Sequence, residues 1–257
     1  MGIVETIRAI ASSGCPSTIE HGANVEPEGA TGRVWAAFRE VCAQTRPKLI
    51  VPEPDYRLPV EGLDATVIST DGKLIDKPLP GGGEENAYCK QTEVRPADKT
   101  ENGRSIGVLI RFGALKILDL GDLTWDKERE LMCPNNRLGK VDVLVVSHHG
   151  SSQSSSPALV DAIQPTVAIM DNGATKGGSI PVLDLVRHAP GIEALWQLHY
   201  SDAGGEAHNT PAEYIANLDG PDGGNDIELT GSQDGSFTVL NGRTGAEKHY
   251  AAGKSRK

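Results

Sequence analysis

Leu118-Asp119-Leu120-Gly121-Asp122 and Ser147-His148-His149-Gly150-Ser151-Ser152 are the two stretches that decide how this chain reads. The first closes an apolar segment, 114–120, with a glycine and a carboxylate. Gly121 permits a sharp turn, which would carry Asp122 past a sheet edge, where a carboxylate is a ready ligand for a divalent cation. A plainer reading stands beside it, since Asp122 or Thr124 could cap a following helix. The second stretch follows Val-Asp-Val-Leu-Val-Val at 141–146, a near-continuous apolar run of the kind buried on both faces of a sheet. Two histidines at the mouth of such a strand stand where open α/β sheets bind ligands. Neutral imidazole suits zinc, iron or manganese. Gly150 lets backbone or substrate come close, and Ser151 and Ser152 can donate to an oxyanion. Adjacent side chains diverge, so at most one of His148 and His149 is expected to be a direct ligand, with the other bearing on the substrate or supporting the first. A loop pair without a role is the alternative.

Working outward, 105–112 and 114–120 read as a strand pair joined at Gly113. Residues 124–132 read as a helix with its acidic and basic residues exposed, 156–163 as a helix, and 166–170 as a buried strand. A helix opening at Pro181 covers 181–188, a strand 194–199, and a short helix 211–218. A terminal meander follows over 227–230, 236–240 and 247–250. Towards the start, helical spacing marks 2–13 and 31–44, the latter with Val34, Trp35, Phe38 and Val41 on one face. Short strands are expected at 17–20, 48–51, 57–60 and 65–69, and a long polar loop at 71–102, of the kind that is functional or mobile. This order predicts an α/β layered domain with a mixed sheet over 1–251, and a frayed basic tail at 252–257.

The 257 residues suit one large α/β domain. Aromatics are only 4% of them, so the core is expected to be built from Val, Ile, Leu and Ala. A formal charge of −10 argues against broad attraction to nucleic acid or anionic membrane, though not against a local basic site. No apolar run is long enough to span a bilayer, and 1–13 lacks the features of a signal peptide. Cys15, Cys42, Cys89 and Cys133 form no CxxC pair, which predicts free thiols or one or two bridges rather than a structural zinc site. Compartment and oligomeric state are not legible.

The stretch 105–171 resembles the second half of the metallo-β-lactamase fold, in the branch found in DNA-uptake channel proteins and their stand-alone relatives. The residues that carry the likeness are Asn102 and Ser105-Ile106-Gly107-Val108-Leu109-Ile110, then Ile117 to Asp122. It continues through Val141 to Ser151 and Ser154-Ser155-Ser156-Pro157. The resemblance implies an αββα sandwich of mixed sheets with a site between them. It implies a hydrolase acting on a phosphodiester or another ester. Asp122 would bridge two zinc ions (manganese or iron in their place), and His148 or His149 would bind metal or orient the leaving group. Paired metals about 3.5–4 Å apart activate water in such sites. A lactonase or β-lactamase-type activity is an alternative on the same scaffold, and a non-catalytic binding module is another.

The family's main ligand loop, H-x-H-x-D-H, does not occur in this sequence. Met1-Gly2 and the helix after it resemble the continuation of that loop, so the first strands and the loop are expected to lie directly before Met1. One aspartate and one or two histidines cannot fill two coordination spheres. Weak metal binding and little hydrolysis by this chain are therefore expected. Four further positions are assigned to substrate contact or support: Asp119, Ser152, Asp171 and His208. Asp171 equally suits a turn. His21 and His199 are weaker candidates, and Lys176-Gly177-Gly178 is a flexible loop.

Overall fold

The computed structural model describes residues 17–19, 25–26, 28–218 and 220–253, with the backbone alone at 17–19. The expected helix over 2–13, His21 and the tail beyond 253 lie outside the described residues. The elements run, in chain order, β1 (Ser17–Ile19), α1 (Gly29–Thr45), β2 (Lys48–Ile50), β3 (Arg57–Leu58), β4 (Asp64–Thr70) and β5 (Lys73–Leu74). They continue with β6 (Gly107–Phe112), β7 (Leu115–Asp119), α2 (Trp125–Met132), β8 (Val143–Val145), α3 (Pro157–Ile163), β9 (Val167–Met170) and α4 (Ile180–Arg187). The last are β10 (Ala194–His199), α5 (Gly205–His208), β11 (Ile215–Asn217), β12 (Ile227–Gly231), β13 (Phe237–Asn241) and β14 (Glu247–Tyr250).

Among the described residues, nine strands form a mixed sheet in the order β11-β10-β9-β8-β7-β6-β4-β3, with β5 on β4. The five strands from β7 to β11 run parallel, and β6, β4 and β3 alternate antiparallel beyond them. The register shows why the sheet is layered. Ile117, Val143, Val167 and Ala194 are cross-strand neighbours, as are Leu118, Leu144, Ala168 and Leu195 one residue on. Successive side chains point to opposite faces. The second row joins Leu131, Leu159, Ile163, Leu183 and Val186 of α2, α3 and α4 in one core. The first row packs with Phe237, Val239 and Tyr250 of the antiparallel sheet β12-β13-β14. The result is an α/β sandwich in which the large mixed sheet lies between helices and a second, smaller sheet.

Two expectations need correction. The segment 211–218 is not a helix: a 3-10 turn at Ala212–Tyr214 leads into β11, which pairs parallel to β10 and is buried throughout. Its outer edge is covered by side chains, because the Ile215 carbonyl accepts from Asn241 and Arg243. Tertiary pairing outweighs the helical pattern there. The charged residues of α2 are not all exposed either, since Glu128 is fully buried. The long loop is a partly ordered arm: Asn86 caps a 3-10 turn at Ala87–Lys90, and Cys89 forms a disulfide with Cys133 at the end of α2.

Candidate functional site

The carboxyl ends of three adjacent parallel strands bring most of the expected site residues together. Asp119 ends β7, with Gly121 and Asp122 just after it; His148 and His149 follow β8; Asp171 follows β9. Gly121 adopts a φ of +56°, the left-handed conformation its turn requires. Its N–H donates to Asp119 Oδ1 at 2.8 Å, so Asp119 shapes the turn. Burial raises the Asp119 carboxyl, opposed by that Gly121 N–H and aided by Asp171 and Asp122. Thr124, not Asp122, occupies the N-cap of α2, and its hydroxyl goes to Asp126. The Asp122 side chain instead faces His149.

The histidines sit in strained backbone. His148 and His149 have φ of +54° and +56°, and Gly150 has +76°. Two successive non-glycine residues in this region cost on the order of 1–3 kcal/mol each. The turn is held from two sides. The His148 N–H donates to the Gly121 carbonyl at 2.9 Å, while the carbonyls of His149 and Gly150 accept from Gly178 and Ser179 at 2.8 and 2.9 Å. Gly177 is required by that clamp, since a Cβ there would overlap the His149 carbonyl.

The two rings diverge, edge to face with centroids 6.4 Å apart. His149 Nδ1 lies 3.1 Å from Asp171 Oδ2 and 3.2 Å from the Asp171 carbonyl, and its Nε2 faces Asp122 Oδ1 at 3.8 Å. The Asp171 hydrogen bond raises the His149 imidazole above its ordinary value, against burial. His148 turns the other way, with Nδ1 3.3 Å from Ser154 Oγ and Nε2 3.4 Å from Asn102 Nδ2. Burial lowers it, Asp122 opposes that, and His149 and Lys176 add to the depression.

The remaining expected residues take other places. Ser151 Oγ accepts from the Gln153 N–H, and the Ser152 carbonyl accepts from Arg95, whose guanidinium stacks on Trp125 at 3.6 Å. His208 Nδ1 pairs with Asp184 of α4 at 2.8 Å. His199, at the end of β10, contacts the Asn172 carbonyl and Asp222. Sequence reasoning did not assign Asn102, Ser154 or Arg95 to the site. Asn102 and Ser154 are among the residues that carry the resemblance, and that was the available signal.

A divalent ion between Asp122 and His149 Nε2 would find those two side chains. Among the described residues, no group of three or more His, Cys, Asp or Glu side chains is arranged to hold a metal. A zinc site needs three or four protein ligands. The described residues therefore do not make a complete metal site. Nor, among them, is any helix long and apolar enough to cross a membrane.

A parallel sheet with titratable side chains converging at its carboxyl edge is the layout of an α/β ligand-binding or catalytic site. No family model matches the chain. It is 36% identical over 75 residues to Recombination protein 2 of Haemophilus influenzae, a stretch that is 29% of this chain and 9% of that protein. It is 32% identical over 108 residues to Competence protein ComA of Neisseria gonorrhoeae, 40% of this chain and 16% of that one. The chain thus spans a small part of the curated relatives it matches.

Proposed function

We propose that this chain has the metallo-β-lactamase fold and that Asp122, His149 and Asp171 are the reacting side chains of a hydrolase for a phosphodiester or another ester. The observation that carries this reading is the placement of two carboxylates on opposite nitrogens of one imidazole, at the ends of adjacent parallel strands. Asp171 accepts a hydrogen bond from Nδ1–H and so leaves a lone pair on Nε2, on the side of Asp122. That nitrogen can take a proton from a water attacking phosphorus or a carbonyl carbon and return it to the departing oxygen as the ester P–O or C–O bond breaks. Asp122, on the same side, orients the water or the imidazolium that forms. The clamp on the strained His148-His149-Gly150 turn keeps the base in place. The partial similarity to a competence and a recombination protein favours the phosphodiester among the esters.

No step is assigned to a metal, because the described residues hold too few ligands for one. The same observation favours a second reading, a non-catalytic binding module of this fold. A substrate panel separates the two: bis(p-nitrophenyl) phosphate, p-nitrophenyl acetate and nitrocefin, each with chelator and with added zinc or manganese. Slow turnover of at least one of the first two supports hydrolysis. Turnover of nitrocefin alone favours the β-lactamase-type activity. Background rates on all three under every condition refute catalysis by this chain and leave the binding module.

A further inference from the structure

The carboxyl group of Glu128 has none of its surface exposed, yet α2 carries it into the interior. A buried carboxyl is costly unless its oxygens are engaged. Here Oε1 accepts the Ser155 N–H at 2.8 Å and Oε2 the Ser156 N–H at 2.6 Å. Ser147, which immediately precedes the two histidines, also lies against it. The turn it holds includes Ser155 at a φ of +60°, unfavourable for a residue with a Cβ. A second tie joins the same helix and turn, the Trp125 N–H donating to the Gln153 carbonyl at 2.8 Å. From this turn the Ser154 hydroxyl reaches His148 Nδ1 at 3.3 Å.

We propose that Glu128 is a positioning residue for His148, fixing the imidazole through the backbone of Ser155 and Ser156 and the hydroxyl of Ser154. The links are continuous: carboxyl to two adjacent N–H groups, those residues to their neighbour Ser154, and Ser154 to the ring. Among the described residues, the ring's other nitrogen meets an amide, Asn102 Nδ2, at 3.4 Å. That amide can only donate, so Nε2 accepts and Nδ1 carries the proton; the Ser154 hydroxyl accepts the Nδ1–H hydrogen bond, which supports that tautomer and fixes the orientation of His148. Burying a carboxyl that receives two backbone N–H groups is a stiffer anchor than a serine cap, and Ser156 itself makes no side-chain cap for α3. The inference rests on the proposed function, placing His148 beside its Asp122, His149 and Asp171, but its test reads the ring and not turnover.

The experiment is long-range 1H–15N spectroscopy of the histidine rings in the full, metal-free chain at one pH, with assignment by His148→Gln. In the parent protein, His148 is expected to show one tautomer. Glu128→Ala and Ser154→Ala should each move its ring-nitrogen signals towards the tautomer-averaged position, while those of His188 and His249 stay in place. If Glu128→Ala does not fold, Glu128→Gln, which keeps one acceptor oxygen, is read instead, with a smaller shift in the same direction. Parent-like His148 signals in folded Ser154→Ala, or in whichever Glu128 variant folds, overturn the proposal. Loss of turnover without any ring shift would count against it too, even with the proposed function intact.

Discussion

His149 and Asp171, 22 positions apart in the chain, meet through Nδ1 and Oδ2 at 3.1 Å, because β8 and β9 are parallel neighbours that end at the same edge. The pair predicts a direction of titration. Asp171→Asn removes the main cause of the raised His149 imidazole, so the pKa of His149 should fall, as read by ring 1H shifts in chelated protein. A raised histidine contributes stability that is present below its unfolded pKa and is lost as pH rises through the folded one. Asp171→Asn should therefore destabilise at pH 5.5 and have no such effect at pH 9. The side chains are 26% and 49% exposed, so the loss should be under about 1 kcal/mol. An unmoved His149 titration contradicts the pairing.

Glu128 gives the opposite slope. Burial pushes its carboxyl from an ordinary 4.5 up to about 7, against the pull of the Ser156 and Ser155 N–H groups. The folded state then binds a proton that the unfolded state has released between those values, so this group's contribution to stability falls as pH rises from about 4.5 to 7. The whole shift corresponds to on the order of 3 kcal/mol. Urea unfolding at several pH values should show that decline in the parent chain and a flatter profile in Glu128→Gln. Equal slopes in both would place the ionisation elsewhere.

The Cys89–Cys133 bridge closes 44 positions and ties the arm before β6 to α2. Replacing both cysteines by serine should cost about 2–4 kcal/mol in urea unfolding under oxidising conditions. The same arm supplies Arg95 and Asn102 to the edge of the site, so the double variant should also show faster amide exchange at Asn102. An unchanged unfolding midpoint would show that the arm is held by its other contacts.

Gly177→Ala tests the clamp on the histidine turn. The residue has a φ of +72°, and a Cβ would meet the His149 carbonyl, a backbone atom that cannot swing aside. A loss of about 1–3 kcal/mol is expected, with the His149 ring signals displaced. Gly245→Ala, also at positive φ but with open space around it, should leave those signals alone.

Much of the layered fold was legible because burial imprints alternation and apolar runs on β7 to β10. β11 was not, since three buried residues after a proline carry too little pattern, and its identity comes from pairing with β10. That Asp122 and the two histidines stand at strand ends was legible from the apolar runs before them. The partnership with Asp171 was not, because a turn aspartate and a histidine partner look alike until β8 and β9 are set side by side. Glu128 was hidden by its chemistry, a carboxylate read as solvated. Its spacing from Leu131 and Met132, three and four residues on, was the sign that it shares their buried face.

The proposed hydrolase is tested by turnover of bis(p-nitrophenyl) phosphate by the parent chain, His149→Gln and Asp122→Asn under one set of conditions. The proposal predicts slow turnover in the parent, lowered about 100-fold or more by His149→Gln and clearly lowered by Asp122→Asn, with all three chains equally folded. Parent-level rates in either variant, or no rate in the parent above background, would contradict it.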